Sequence, residues 1–246
     1  MISPAARTGR FDLRPGQVLG GKYVVEAYLG GGLEGEVYRV LEAHTRVRRA
    51  AKLFYPQENP RDQAARLYAR KLDRLRNCPI VIQYHHAESV QVRGQRVTCL
   101  ISEYVDGVLL ADFVAAHPGR RLRPFEALHL IYPIVCGLEQ MHRLKEYHGD
   151  LHEHNVLVRQ RGIFFEVKCV DFYPLGRYSS RRRQDDIVDL VRLLYWTVGG
   201  RRWYSRQPPA IKSICRGLRR DLILERFPRA TQLRAYLESF PWLSVL

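Results

Sequence analysis

The chain has 246 residues, 46% of them hydrophobic, with 3 Trp, 14 Tyr and 9 Phe, enough apolar mass to bury the core of one large domain or two lobes and to exclude a disordered chain. Five cysteines, at 78, 99, 136, 169 and 215, form no C-x-x-C pair, which argues against a disulfide framework or zinc ribbon and for a reducing, cytoplasmic setting. No run of about 18 apolar residues could span a bilayer and the opening MISPAARTGRFDLRPGQ does not resemble a secretion signal, so no membrane partner is expected.

The net charge of +15 arises from 40 basic residues, only six of them Lys, against 25 acidic ones. Such a surface attracts polyanions over roughly a Debye length without choosing among them. An overall bias towards Arg and a selected polyanion surface both account for it. No nucleic-acid recognition module accompanies the charge, so no specific nucleic-acid partner is expected.

Residues 1–20 are rich in Gly, Pro and Arg and read as a tail. From Lys22 to Leu53 three β-like runs, KYVVEAYL, GEVYRVLEA and RRAAKLFY, predict an antiparallel meander ending at Pro56. RDQAARLYARKLDRLRN (61–77) spaces Ala65, Tyr68, Leu72 and Leu75 by three and four, the apolar face of a helix. Two more strands are expected around IVIQYHHAESV and RVTCLISEYV. After Asp106 the pattern turns helical, and PFEALHLIYPIVCGLEQMHRLKEY has Pro124 at a first helical position.

A polar loop, YHGDLHEHNVLV (147–158), leads into a strand VLV, a turn RQRG and a second strand FFEVKCV that stops at Asp171. DDIVDLVRLLYWTVGG then sets Ile187, Leu190, Val191, Leu194 and Val198 on one helical face, with Gly199 and Gly200 as its stop. Two short helices are expected to complete the chain. The division falls at about residue 105, β-rich before and α-rich after.

The stretch LGGGLEGEVYRV places Gly30, Gly32 and Gly35 between two strands, where bare backbone can approach a ligand and amides can point at phosphate oxygens. A dinucleotide-binding reading needs a helix after the glycines, and EVYRVLEA reads as a strand. Lys52 lies in an otherwise apolar strand, so it must meet an anion or reach water. Asp150 and Asn155 are five positions apart and Asp171 ends a strand. Zinc held by His148, His152 and His154 is chemically possible. It leaves the glycines, Lys52 and Asp171 unexplained.

Taken in this order the pieces resemble the protein kinase superfamily from about residue 20 onward. GGGLEGEV is similar to the glycine-rich loop, RAAK to the lysine-bearing third strand, ISEYVDG to the hinge, HGDLHEHNVLV to the catalytic loop, VDFY to the D-F-G site and DDIVDL to the start of the helix supporting the lower lobe. The resemblance implies an α+β, bilobal fold: an N-terminal lobe over 21–105 with a five-stranded antiparallel sheet and one helix, and a mostly helical C-terminal lobe over 106–246. It implies ATP and Mg²⁺, with the γ-phosphoryl group passed to a hydroxyl, most simply Ser or Thr of a protein. Lys52 would then grip the α and β phosphates beneath Gly30, Gly32 and Gly35, Asp150 would orient or deprotonate the attacking hydroxyl, and Asn155 and Asp171 would hold Mg²⁺. Val37, Ala50 and Leu157 would sandwich the adenine, backbone near Glu103 and Val105 would read its edge, and Asp186 would brace the loop.

Four features depart from the family pattern. The helix carboxylate that normally pairs with the strand lysine is missing: its position offers Tyr68 or Ala69, and the nearest acids are Glu58, Asp62 and Asp73. The loop reads His-Gly-Asp, without the usual Arg. Asp186 follows Asp171 closely with no A-P-E motif, so the segment that docks a peptide is shortened. Glu34 stands at the tip of the glycine loop, where it should repel phosphate unless it points to solvent, and Tyr173 replaces the last residue of D-F-G.

Ser179, Ser180 and Arg181–Arg183 read as an exposed basic turn, the arginines being candidates to recruit an acidic substrate. HGDLH also resembles aminoglycoside and choline kinases, but PPAIKSICRGLRRDLILERFPRATQLRAYLESF, with Arg226 before the last helix, resembles the end of eukaryotic-type protein kinases. A nucleotide-binding pseudokinase and a small-molecule kinase stand as alternatives.

Overall fold

A computed structural model describes residues 10–172 and 176–239. The chain packs as two units, one built from the residues up to Arg70 with Gln83–Tyr104, the other from Lys71–Ile82 with the residues from Val105 on.

Alternation of apolar and polar residues builds the first unit around one antiparallel sheet. Its strands are β1 (Val18–Leu19), β2 (Tyr23–Gly31), β3 (Gly35–Glu42), β4 (Arg48–Phe54), β5 (Tyr84–Val92) and β6 (Gln95–Glu103), in the order β1-β2-β3-β4-β6-β5. The five expected strands are present, and β1 adds a short edge pair, Val18 opposite Val24 and Leu19 opposite Tyr23. Tyr23, Val25, Tyr38, Val40, Leu53, Val97 and Ile101 form the core. Part of the segment read as a tail joins that core: Phe11 is buried, its ring 5.1 Å from that of Tyr55.

The Phe11 N–H donates to Glu36 Oε1 at 3.1 Å and the Leu13 N–H to the Tyr38 hydroxyl at 3.2 Å. Glu36 is 1% exposed and also accepts the hydroxyls of Tyr55, at 2.8 Å, and Tyr38. Burial, reinforced by bonding to this carboxylate, pushes the Tyr55 phenol up to about 12 and raises that of Tyr38. Helix α1 (Gln63–Arg74) follows β4, its residues up to Arg70 belonging to this unit, with Tyr68 buried edge-on against Phe54.

The second unit holds β7 (Val108–Leu109), α2 (Leu110–Ala115), α3 (Pro124–Arg143), β8 (Val156–Arg161), β9 (Phe164–Cys169), α4 (Ser180–Thr197), α5 (Gly200–Tyr204), α6 (Pro209–Cys215), α7 (Arg220–Arg226) and α8 (Ala230–Glu238). Strands β7, β8 and β9 form a small sheet in that order. Pro124 opens α3, where the Glu126 carboxylate accepts the Arg123 N–H at 2.9 Å. Leu128, Ile131, Leu190, Val191, Leu194, Ile214, Leu233 and Leu237 from α3, α4, α6 and α8 make its apolar centre. Gly137 on α3 admits Ile80, whose Cδ1 would lie 2.2 Å from any added Cβ.

Three expectations change. The β8–β9 turn falls at Gly162–Ile163, not across RQRG, because pairing continues to Gln160 with Phe165 and Arg161 with Phe164. Among the described residues four short helices, not two, follow α4, divided at Gly199–Gly200, Pro208–Pro209, Gly217 and Pro228. The basic turn is helical: Arg181–Arg183 form the first turn of α4, which Ser179 caps by accepting the Arg182 N–H at 3.2 Å. Among the described residues no helix is long and apolar enough to cross a membrane.

Candidate active site

In the first unit, the hairpin joining β2 and β3 closes with the Gly32 N–H donating to Gly35 O at 3.0 Å, and the Tyr55 N–H donates to Glu34 O at 2.9 Å. A Cβ on Gly35 would lie 2.0 Å from Leu53 O, so only glycine lets this hairpin press onto β4. Register sets Val37 opposite Lys52, Ala50 opposite Ser102 and Arg49 opposite Glu103. Gly30, Gly32, Gly35, Val37 and Lys52 therefore come together on paired strands and their connecting turn. The Glu103 carboxylate accepts the Gln83 N–H at 3.0 Å.

The Lys52 side chain is 11% exposed, and its ammonium lies 4.5 Å from the ring centre of Tyr68 and 5.3 Å from that of Phe54. Its Nζ is 3.1 Å from Glu34 Oε2. Glu34 thus turns towards the lysine, with its side chain 32% exposed. Of the acids nearest in sequence to the empty helix position, Asp62 accepts from Asn59 at 3.3 Å and Asp73 from Arg76 at 3.2 Å. Sequence reasoning missed the partner because it sought it on the helix. The available signal was Glu34's place between Gly32 and Gly35, in a turn that folds back over β4.

In the second unit, Asp186 is completely buried in the second turn of α4, where Oδ2 accepts the His148 N–H at 2.9 Å and Oδ1 the Gly149 N–H at 2.8 Å. His142 Nε2 lies 2.9 Å from the same carboxylate. The His148 ring packs tilted against that of Phe172, centres 4.6 Å apart, and its Nδ1 accepts the Asp150 N–H at 3.2 Å. Burial pushes the His148 imidazole down to about 4, so it is neutral at neutral pH.

Asp150 is 59% exposed at its side chain. Asn155 Nδ2 donates to Asp150 O at 2.9 Å and Oδ2 at 3.2 Å, and lies 2.9 Å from His152 Nε2. The Val170 N–H donates to Asn155 O at 3.0 Å beside the Val156–Cys169 pair, which sets Asn155 and Asp171 at adjoining ends of β8 and β9. Asp171 adopts φ 53°, a left-handed backbone that a non-glycine residue holds only when its surroundings impose it. Leu157 is partly buried on β8, opposite Lys168, and Val105 begins this unit's longer segment.

The Asn155 amide nitrogen turns to Asp150, and Asn155 and Asp171 both carry hard oxygen donors of the kind that suit a divalent cation. The histidine reading does not hold: among the described residues no group of three or more His, Cys, Asp or Glu side chains could hold a metal ion. His148 and His152 direct ring nitrogens at the loop itself, through the Asp150 N–H and the Asn155 amide. Tyr173 lies outside the described residues.

The protein kinase domain family matches residues 23–205. Among curated proteins the chain is similar to serine/threonine-protein kinase PrkC of Bacillus subtilis (strain 168), 26% identical over 169 residues, covering 67% of this chain and 24% of that protein. It is also similar to myosin light chain kinase family member 4 of Homo sapiens, 26% identical over 155 residues, covering 63% of this chain and 38% of that protein. The chain therefore spans only a part of the length of these relatives. In fold it is similar to the crystal structure of the Mycobacterium tuberculosis PknI kinase domain, with TM-score 0.66 and 19% identity over 92% of this chain and 97% of that one. The chain belongs to the protein kinase family, a family of phosphotransferases.

Proposed function

We propose that the chain is an ATP- and Mg²⁺-dependent kinase that passes the γ-phosphoryl group to the Ser or Thr hydroxyl of a protein. The observation that carries this is the polar group of the second unit, in which solvent-exposed Asp150 is hydrogen-bonded to Asn155 and Asn155 adjoins the strand end bearing Asp171. Phosphoryl transfer asks a protein mainly for positioning and for neutralisation of phosphate charge. Asp150 is free to accept a hydroxyl proton, and Asn155 and Asp171 are the residues to hold Mg²⁺, which when bound neutralises phosphate oxygens.

Lys52, beside the glycine hairpin of Gly30, Gly32 and Gly35, is the cation for the α and β phosphates. Val37, Ala50 and Leu157 are assigned to the faces of the adenine, and the backbone at Glu103 and Val105 to its edge. Residues 21–105 and 106–246 are read as the two lobes of one domain. The similarity to the serine/threonine-protein kinase PrkC of Bacillus subtilis supports a Ser/Thr acceptor. All five cysteines are free thiols, which supports a reducing, cytoplasmic setting.

The test is transfer of labelled phosphoryl from ATP to a panel of protein acceptors with Mg²⁺. Label should appear on Ser or Thr and vanish in Asp150→Ala while nucleotide binding persists. Transfer undiminished in that variant overturns the assignment.

A further inference from the structure

The pair formed by Glu34 and Lys52 is built by the hairpin. The missing Cβ of Gly35 allows contact with Leu53 O, the Tyr55 N–H fixes the Glu34 carbonyl at 2.9 Å, and the carboxylate arrives 3.1 Å from Nζ. The position on α1 that would supply a helix carboxylate carries Tyr68, whose ring face meets the same ammonium at 4.5 Å. An ammonium held between a carboxylate and an aromatic face has lost much of its rotational freedom before any phosphate arrives. Leu33, next to Glu34, is 90% exposed, so within this turn one side chain is thrown outward and the other turns towards the lysine.

We infer that Glu34 is the positioning residue for Lys52, acting from the glycine hairpin in place of a carboxylate on α1, with Tyr68 as the second wall. The inference rests on the phosphotransfer reading above and specifies how its lysine is oriented. It also sets a distinctive balance. The carboxylate competes with phosphate for one ammonium, so it weakens nucleotide binding while ordering the lysine for transfer. A residue with this double action separates turnover from affinity when it is neutralised.

The experiment compares the wild-type chain with Glu34→Gln, Glu34→Asp and the double variant Glu34→Gln/Tyr68→Glu. Three readouts are the Kd for MgATP by calorimetry, kcat and KM for transfer, and amide hydrogen exchange over residues 30–36 without nucleotide. Glu34→Gln should lower kcat about tenfold or more, leave Kd unchanged or tighten it, and speed exchange across the hairpin. Glu34→Asp should recover part of kcat, and the double variant should recover it by returning an acid from the helix. Should the double variant fail to fold, as judged by its melting temperature, Glu34→Asp carries the rescue alone.

A kcat for Glu34→Gln within twofold of wild type overturns the inference, as does a fall in kcat that no acidic replacement restores. A wild-type chain that neither binds MgATP nor transfers phosphoryl overturns the underlying kinase reading instead, and it does so before any variant is compared.

Discussion

Asp186 and Gly149 are joined inside the second unit: Oδ1 accepts the Gly149 N–H at 2.8 Å, and Oδ2 accepts the neighbouring His148 N–H at 2.9 Å. Gly149 occupies the place where the family pattern has Arg, and adopts φ 84°. The loop is therefore anchored by its own backbone. Asp186→Ala leaves two amides without acceptors in the interior, each costing about 1–3 kcal/mol. Urea denaturation should show a lower midpoint, and transfer should be lost even at temperatures where the variant remains folded.

Asp150→Ala removes the exposed carboxylate and leaves Asn155 and Asp171 in place. Transfer should fall by roughly 10²-fold or more, with MgATP binding by calorimetry within a few-fold of wild type. Removal of Mg²⁺ with EDTA should abolish transfer in the wild-type chain. Equal loss of binding and turnover in Asp150→Ala would place this carboxylate in nucleotide binding instead.

His148 is held neutral by burial, with its folded pKa of about 4 below the usual 6.5. Between these values the unfolded chain binds a proton that the folded chain refuses, so stability is full above about pH 6.5 and declines as pH falls towards 4. Melting temperatures measured across that window should fall for the wild type. In His148→Asn, whose side-chain oxygen can still accept the Asp150 N–H, the decline should be shallower.

Gly35→Ala forces a methyl against Leu53 O, with a contact of 2.0 Å that no real Cβ tolerates. The hairpin must lift from β4. MgATP affinity should fall at least tenfold while far-UV circular dichroism changes little; unchanged affinity would remove the hairpin from the nucleotide site.

Tyr55→Phe deletes one of the hydroxyls donated to buried Glu36 and should cost about 1–3 kcal/mol in urea unfolding. The folded phenol of Tyr55 titrates near 12 and the unfolded one near 10, so the wild type loses stability as pH rises through that interval. The variant should lose less over the same range.

Long periodic segments were legible: the faces of α3 and α4 and the meander carrying Lys52 follow from spacing alone. That Asp150 and Asn155 share one loop and that Asp171 follows a strand was also legible, because their spacing survives in the linear order. The edge strand Val18–Leu19 was not, since two residues carry no period. The four terminal helices merged into two because elements of five to nine residues barely register against their breakers. The contact of Glu34 with Lys52 was not legible because the direction of a side chain at a hairpin tip depends on hydrogen bonds that close only in the fold. Glu36 escaped notice entirely, its partners Phe11, Tyr38 and Tyr55 being gathered from three separate segments.

The family signature starts at residue 23, whereas the interior of the first unit starts no later than Phe11. A fragment trimmed to the signature would inherit the reactive parts and forfeit a wall of its own interior, leaving a buried carboxylate facing water where an amide and a phenyl ring had been. The span matched by the family and the span that builds the core of this unit are, for this protein, two different quantities.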